Sequence, residues 1–235
     1  SDWLFCLVKT DTKIKPQKGI SFLVFPMDTK GVTVRRIPQI DGDAHLCETF
    51  LQDVRVPTKY LVGEAGMGWT YAKSLLEGER TGSAYIHWSK RELAKAREIA
   101  SSEMIDGVRL IDLPAYKHRF AKLEAQLTAL EWSVLRVLAD ETFKYPGMSI
   151  ASSLKLRGSE LQQSVTMLQL DCLGDKALRY VPRSDYAAMS EAEDPLWPAH
   201  MLGVTPNTLI TRASTIYGGA RQVQKNILSK LAFCL

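Results

Sequence analysis

The sequence predicts an α+β protein, a partial antiparallel β-region followed by a C-terminal four-helix bundle. Three observations carry this. Short runs of aromatic and β-branched residues fill the first 60 positions. From Gly66 onward apolar residues recur every three or four positions. Four long amphipathic stripes then follow one another with few breakers between them. The change of period divides the chain into residues 1–62 and 63–235.

The strands come first. Trp3 to Val8 and Ile20 to Phe25 are apolar runs separated by Asp11-Thr12, Lys15-Pro16 and Gly19, all turn formers. Val32-Thr33-Val34 follows Gly31, and a fourth extended stretch runs from Cys47 to Val56 before Pro57. With short polar connections, four strands read as one antiparallel sheet. An open sheet of four has exposed edges and calls for further strands. The chain lacks an initiator Met and is apolar from its third residue. It therefore reads as starting within a sheet.

The helical stripes follow. Trp69, Ala72, Leu76, Gly82 and Ile86 have helical spacing, which predicts a helix over 67–102. Asp112 is suited to cap a helix that takes Pro114 in its first turn. That helix carries Phe120, Leu123, Leu127, Leu130, Val134, Val137 and Leu138 on one side. A third stripe, Ile150, Leu154, Leu161, Val165, Leu168 and Cys172, ends before Gly174. The fourth, over 205–233, is split at Gly218-Gly219 into Leu209, Ala213, Ile216 and Val223, Ile227, Leu231. Between Arg179 and Thr205 three prolines interrupt any period, so a long excursion is expected there.

Composition narrows the function. The 235 residues are 46% hydrophobic and 24% charged, which excludes disorder and fibrous repeats. A net charge of +4 with well-mixed signs gives no reason to expect a nucleic-acid partner. Cys6, Cys47, Cys172 and Cys234 form no CxxC pair and read as free thiols of a reducing compartment. No apolar run reaches the roughly 20 residues of a membrane span. With no charged leader before the first apolar run, the chain reads as a soluble cytoplasmic protein.

Several motifs invite chemistry. Gly63-Glu64-Ala65-Gly66-Met67-Gly68 opens a helix and has the look of a phosphate-cradling loop, but only helices follow it. A turn and linker is the better reading. A di-metal centre in a bundle needs Glu-x-x-His, and none of the four histidines has a Glu three residues before it. No metal site is expected. The cluster Lys117-His118-Arg119-Lys122 lies mostly off its apolar stripe and reads as a solvated face. Glu77-Gly78-Glu79-Arg80 places a Gly inside a predicted helix at a cost of about 1 kcal/mol. Such a Gly marks close approach of a ligand or a neighbouring backbone, or else an exposed charged turn. Tyr217-Gly218-Gly219 by itself is a helix break.

Taken in order, Asp53-Val54-Arg55-Val56-Pro57, Leu61-Val62-Gly63, Gly68-Trp69, Glu79-Arg80, Thr215-Ile216-Tyr217-Gly218-Gly219 and Gln224-Lys225-Asn226-Ile227 form a recognisable set. Together they resemble the acyl-CoA dehydrogenase family over essentially the whole chain. The nearest flavour is the pimeloyl-CoA dehydrogenase large-subunit type. The resemblance implies that residues 1–62 end the family's middle β-domain and that 63–235 form its C-terminal helical bundle. It implies FAD-dependent α,β-dehydrogenation of an acyl-CoA thioester, a step of fatty acid β-oxidation and lipid metabolism. It also implies an electron-transfer flavoprotein or similar acceptor, and assembly into a homo- or hetero-oligomer through the bundle.

Most family members carry the catalytic base between Tyr and Gly near the end of the bundle. Gly218 stands there in this sequence. A minority place it on the first bundle helix before an Arg, and the matching pair is Glu79 and Arg80. By resemblance Glu79 is the base and Arg80 holds its geometry. Glu77 and Gly218 would face substrate, and Tyr217, Gly219, Ala220 and Gln222 would contact the flavin. Three features depart from the pattern. Residues 101–112 replace an Arg-x-x-Phe-Gly stretch, Ala220 replaces a flavin-contacting Thr, and Gly174-Asp175 replaces Gly-Gly. These departures weaken the bundle's share of flavin binding and imply an alternative, a non-catalytic assembly subunit of a heteromeric complex.

Overall fold

The computed structural model describes residues 1–78, 82–139, 147–191 and 198–232, with the side chains of 76–78, 83, 147–149 and 191 outside that description. The chain forms two compact units, Ser1–Gln39 with Asp43–Glu79, and Ile40–Gly42 with Arg80–Leu235.

In the first unit, β1 (Trp3–Lys9) pairs antiparallel with β2 (Ile20–Pro26), from Trp3 opposite Pro26 to Lys9 opposite Ile20. A second hairpin pairs β3 (Val32–Ile37) with β4 (Leu46–Leu51). The four strands are therefore two separate hairpins and not the single sheet expected from sequence. The reason lies on the far edge of β2. There Leu23 bridges to Leu61, and the Val62 N–H donates to the Phe22 carbonyl at 2.9 Å. That edge is taken before β3 could use it.

α1 (Gly68–Gly78) rests on β2. A Cβ on Gly68 would sit 2.6 Å from the main chain of Ser21, and the Gly66 N–H donates to Ser21 Oγ at 3.0 Å. The glycine-rich loop thus spends its small residues on close packing against a strand. Packing groups α1 with the strands.

The second unit is helical. α2 covers Ile86–Ser102, and a short hairpin of β5 (Met104–Ile105) and β6 (Val108–Arg109) follows it. Asp106 and Gly107 both have positive φ, the two-residue turn that suits the twist of a hairpin. This hairpin lies within 101–112, a stretch with no strand expected in it. α3 is Pro114–Ala139 and α4 is Gly147–Leu173. The excursion holds a short α5 (Tyr186–Glu191), then come α6 (Val204–Thr211) and α7 (Arg221–Ala232).

Two helix boundaries differ from the sequence reading. The expected helix over 67–102 is broken: α1 is described as far as Gly78, a 3-10 turn occupies Gly82–Ala84, and α2 begins only after Tyr85. Tyr85 is left-handed, at φ 53° and ψ 37°, which no continuous helix accommodates. Asp112 does not cap α3 either. It ends a 3-10 turn and its carboxylate accepts from Arg109 Nε at 2.8 Å, while Leu113 supplies the carbonyl that accepts the first helical bond.

α4 is the hub, packed against α2, α3, α6 and α7. Its stripe of Leu154, Leu161, Val165, Leu168 and Cys172 meets Leu93, Ala96 and Ile99 of α2 and Phe120, Leu123 and Leu127 of α3 in one core. The stripe skips a turn at Gly158. A Cβ there would lie 2.6 Å from the carbonyl oxygen of Ala84, so the gap in the apolar pattern is where the 3-10 turn presses against α4. No described helix is long and apolar enough to cross a membrane.

Candidate active site

Four of the predicted site residues are consecutive, Tyr217 to Ala220, and Gln222 lies just beyond them on α7. α4 holds this segment at three levels. Gln163 Nε2 donates to the carbonyls of Thr211 and Arg212 at 3.3 and 3.1 Å, closing the C-terminal end of α6. Lys155 Nζ donates to the Ser214 carbonyl at 2.7 Å. Glu160 pairs with Arg221 at 2.9 Å, fixing the start of α7. The segment between is a turn anchored at both ends.

Within it, Gly218 and Gly219 have φ of 63° and 98°, a region in which an L side chain is strained. That is why two glycines stand here. Ala220 provides the carbonyl that accepts the first bond of α7, from Gln224 N–H at 3.0 Å, and so occupies the N-cap position. Alanine has no oxygen with which to cap. Among the described residues the first N–H groups of α7 therefore receive no cap from Ala220.

Lys155 was not singled out from sequence. Its side chain is only 3% exposed, and its ammonium lies under two aromatic rings, 5.4 Å from the centroid of Tyr85 and 5.1 Å from that of Tyr217. Both distances suit cation–π contact. Burial pulls the Lys155 pKa below the usual lysine value. Burial pushes that of Tyr217 up, with a smaller contribution from Tyr85, so its phenol stays protonated. A Cβ on Gly218 would sit 3.5 Å from Lys155 Nζ and 3.6 Å from its Cε, and among the described residues beyond its own chain neighbours nothing else lies within 4 Å. The left-handed Tyr85 is what brings its ring to Lys155, and Gly158, three residues along α4, seats the turn before it. The gap at Gly158 was the available sequence signal. Lys155 gave none, being one polar residue beside an apolar stripe.

Glu79 and Arg80 lie outside the described residues. Glu77 belongs to α1, and its side chain is likewise outside them. The structure therefore brings together Tyr217, Gly218, Gly219, Ala220 and Gln222, and adds Lys155 and Tyr85 to them.

Comparison with known proteins gives a consistent set of likenesses. The family model "Acyl-CoA dehydrogenase, C-terminal domain" matches residues 66–233. Acyl-CoA dehydrogenase IpdE1 of Mycobacterium tuberculosis is 28% identical over 231 residues, covering 98% of this chain and 54% of that protein. IpdE1 of Mycolicibacterium smegmatis is 27% identical and is covered to 53%, so the chain spans about half the length of the curated relatives it matches. Among solved structures, the ChsE4–ChsE5 complex from Mycobacterium tuberculosis superimposes with a TM-score of 0.80 at 24% identity, covering all of this chain and 57% of that one. At such identity the structural likeness speaks for the fold.

Proposed function

The chain belongs to the acyl-CoA dehydrogenase family, and from this we propose that it forms part of an FAD-dependent enzyme that desaturates an acyl-CoA thioester between its α and β carbons. The proposal covers a longer protein than this chain. Residues 1–62 would end its middle β-domain, and 63–235 would be its helical bundle, with α2, α3, α4 and the α6–α7 arm as the four members. The observation that carries the reading is the anchored Tyr217–Ala220 turn. It presents bare glycine backbone and a helix start without a side-chain cap from Ala220, at residues that by resemblance would meet flavin and substrate.

These residues fit the flavin in kind. The α7 N-terminus suits a pyrophosphate through its free N–H groups and dipole. The side chains of Tyr217 and Gln222 and the backbone of Gly219 and Ala220 would hold the cofactor. When bound, FAD supplies the two-electron acceptor for the β-hydrogen. Everything else falls to the protein. Glu79 would take the α-proton, and a carboxylate does so only if burial raises its pKa and donors stabilise the developing enolate oxygen. Arg80 would hold Glu79 in place, Glu77 would approach the pantetheine arm, and Gly218 would leave room where other members carry their base. An electron-transfer flavoprotein or similar acceptor, and a like or unlike second subunit, complete the proposal, which places the enzyme in the cytoplasm.

The test is Glu79→Gln in the full-length, flavin-loaded protein. Loss of a positioned base should lower kcat by about 10²–10⁴-fold with the flavin spectrum intact. An unchanged rate sinks the assignment. A second reading, a non-catalytic assembly subunit, is favoured by two observations: the β5–β6 hairpin stands in place of the Arg-x-x-Phe-Gly stretch, and Ala220 leaves α7 uncapped. A flavin absorption spectrum from the purified full-length subunit alone counts against it.

A further inference from the structure

The side chain of Lys155 joins two parts of the helical unit that are distant in sequence. Its ammonium lies against the ring of Tyr85, which opens α2, and against that of Tyr217, in the turn before α7. It donates to the Ser214 carbonyl at 2.7 Å and stands 3.5 Å from where a Cβ on Gly218 would be. One cation therefore holds a carbonyl and a ring of the turn and passes beside its first glycine. The two rings share one small space, since the Tyr217 phenol also feels Tyr85.

That turn is where the segment most needs holding. Gly218 and Gly219 both take positive φ, and glycine gives up more backbone freedom on ordering than any other residue. A ligand that meets a loose Gly-Gly turn must order it at the expense of its own affinity, whereas a turn already fixed costs it nothing. Gln163 and Glu160 hold the two ends of the segment, and Lys155 holds its middle. The Ile216 and Tyr217 N–H groups donate to the Ala213 carbonyl at 2.8 and 3.0 Å, which sets where Tyr217 leaves the chain. Its ring then lies against the Lys155 ammonium, and Tyr85 fixes that ammonium in turn. A methionine in place of Lys155 would fill the space but offer nothing to the carbonyl or to the ring faces.

Resting on the reading of Tyr217–Gln222 as part of a flavin and substrate site, we infer that Lys155 and Tyr85 are positioning residues: the Tyr85–Lys155–Tyr217 sandwich sets the Gly218-Gly219 backbone in its binding geometry before a ligand arrives. Both act through Tyr217 and the turn, with no need to touch the cofactor themselves. Such coupling is reciprocal, so a ligand seated on the turn also steadies the start of α2.

The test measures the FAD dissociation constant of the full-length protein, by flavin fluorescence on reconstitution of the apoprotein. Lys155→Met and Tyr85→Leu should each weaken binding by about 10- to 30-fold, the worth of a desolvated cation–π contact. Lys155→Arg and Tyr85→Phe, which keep the charge and the ring, should lose less than about 3-fold. The double variant Lys155→Met/Tyr85→Leu should bind no more weakly than the more damaged single variant, because both changes break one element. Wild-type affinity in Lys155→Met or Tyr85→Leu overturns the inference. So do equal losses with Phe and Leu at position 85, or additive losses in the double variant, which are the marks of separate packing defects. If Lys155→Met does not fold, the comparison of Phe with Leu at position 85 decides alone. If the wild type binds no FAD, the flavin reading fails, and the sandwich is judged by amide exchange at Ile216 and Tyr217 in the full-length protein. Exchange about 10-fold faster in Lys155→Met and Tyr85→Leu, but not in Tyr85→Phe, still upholds the positioning role. Unchanged exchange in the first two overturns it.

Discussion

Along α4 an apolar row, Leu154, Leu161, Val165, Leu168 and Cys172, runs beside a polar row, Ser152, Lys155, Ser159, Gln162, Thr166 and Gln169, and both rows are buried. The apolar row fills the space between α2 and α3. Several members of the polar row meet the rest of the unit through hydrogen bonds. Lys155 donates to Ser214, the Thr166 carbonyl accepts from Thr208 Oγ1 at 3.2 Å, and Gln169 Nε2 donates to the carbonyl and carboxylate of Glu92 at 2.7 and 3.1 Å. Asn207 joins Glu92 from α6 at 3.2 Å. Bulk cohesion and positional definition are thus divided between two faces of one helix. Apolar contacts are non-directional, whereas a buried polar group without its partner costs about 1–3 kcal/mol, so the polar face specifies where its neighbours sit.

The largest test of that division is Leu168→Ala. Leu168 is fully buried, and the substitution should cost about 2–5 kcal/mol in denaturant unfolding of the full chain. A loss below 1 kcal/mol would show that the apolar row is not the cohesive one. Gly158→Ala comes next, because its methyl group meets the Ala84 main chain at 2.6 Å. About 1–3 kcal/mol is expected, with altered exchange protection of the amides of Ser89 and its neighbours at the start of α2. Gln169→Leu removes two donors from Glu92 at nearly constant volume. It should cost about 1–2 kcal/mol and disturb α6, measured by amide exchange at Asn207 and Thr208. An unperturbed α6 would place the specificity elsewhere.

A smaller effect depends on pH. Burial by itself would raise the pKa of Glu103, but hydrogen bonds from Lys176 (2.8 and 2.7 Å) and His200 (2.9 Å) outweigh it and hold the carboxyl below its usual range. A carboxyl depressed in the fold binds its proton more readily when the chain unfolds. Its contribution is therefore complete above an unfolded value of about 4.3 and is lost as pH falls through the lower folded value. Glu103→Gln should flatten the acid limb of a stability-against-pH curve and leave its neutral part parallel to wild type. The smallest change is expected at Trp132 on α3, 64% exposed: Trp132→Ser should stay within about 0.5 kcal/mol.

The apolar row was legible because its members recur at helical spacing, and Tyr217-Gly218-Gly219 was legible as a break because glycines punctuate helices. The polar row has the same spacing, but polar residues within a helix normally face water, so no pattern distinguishes a buried Gln169 from a solvated one. The stop before α2 was hidden because Tyr85 takes a left-handed conformation that sequence assigns to Gly or Asn. The pairing of strands was hidden because the competing edge partner, Leu61-Val62, lies some 40 residues from β2. Asp106-Gly107 between Ile105 and Val108 is a readable turn signal, but strands of two residues are too short to show an alternating pattern. For the site, the segment 217–222 was within reach. Its buried cation comes from a helix about 60 residues earlier, and only the fold makes them neighbours.

The cross-links from α2 to the late part of the chain also set an order of assembly. Gln169 reaches Glu92 across 77 residues, Lys95 reaches the Leu202 carbonyl across 107, and Asn207 reaches Glu92 across 115. The β1–β2 and β5–β6 hairpins close over far shorter loops. Loop-closure entropy favours the hairpins and individual helices forming first, with the α2–α4–α6 junction last. In a kinetic experiment Asn207→Ala and Lys95→Met would then speed unfolding while scarcely changing the folding rate. The segment that carries the proposed site would be the final part of the helical unit to become ordered.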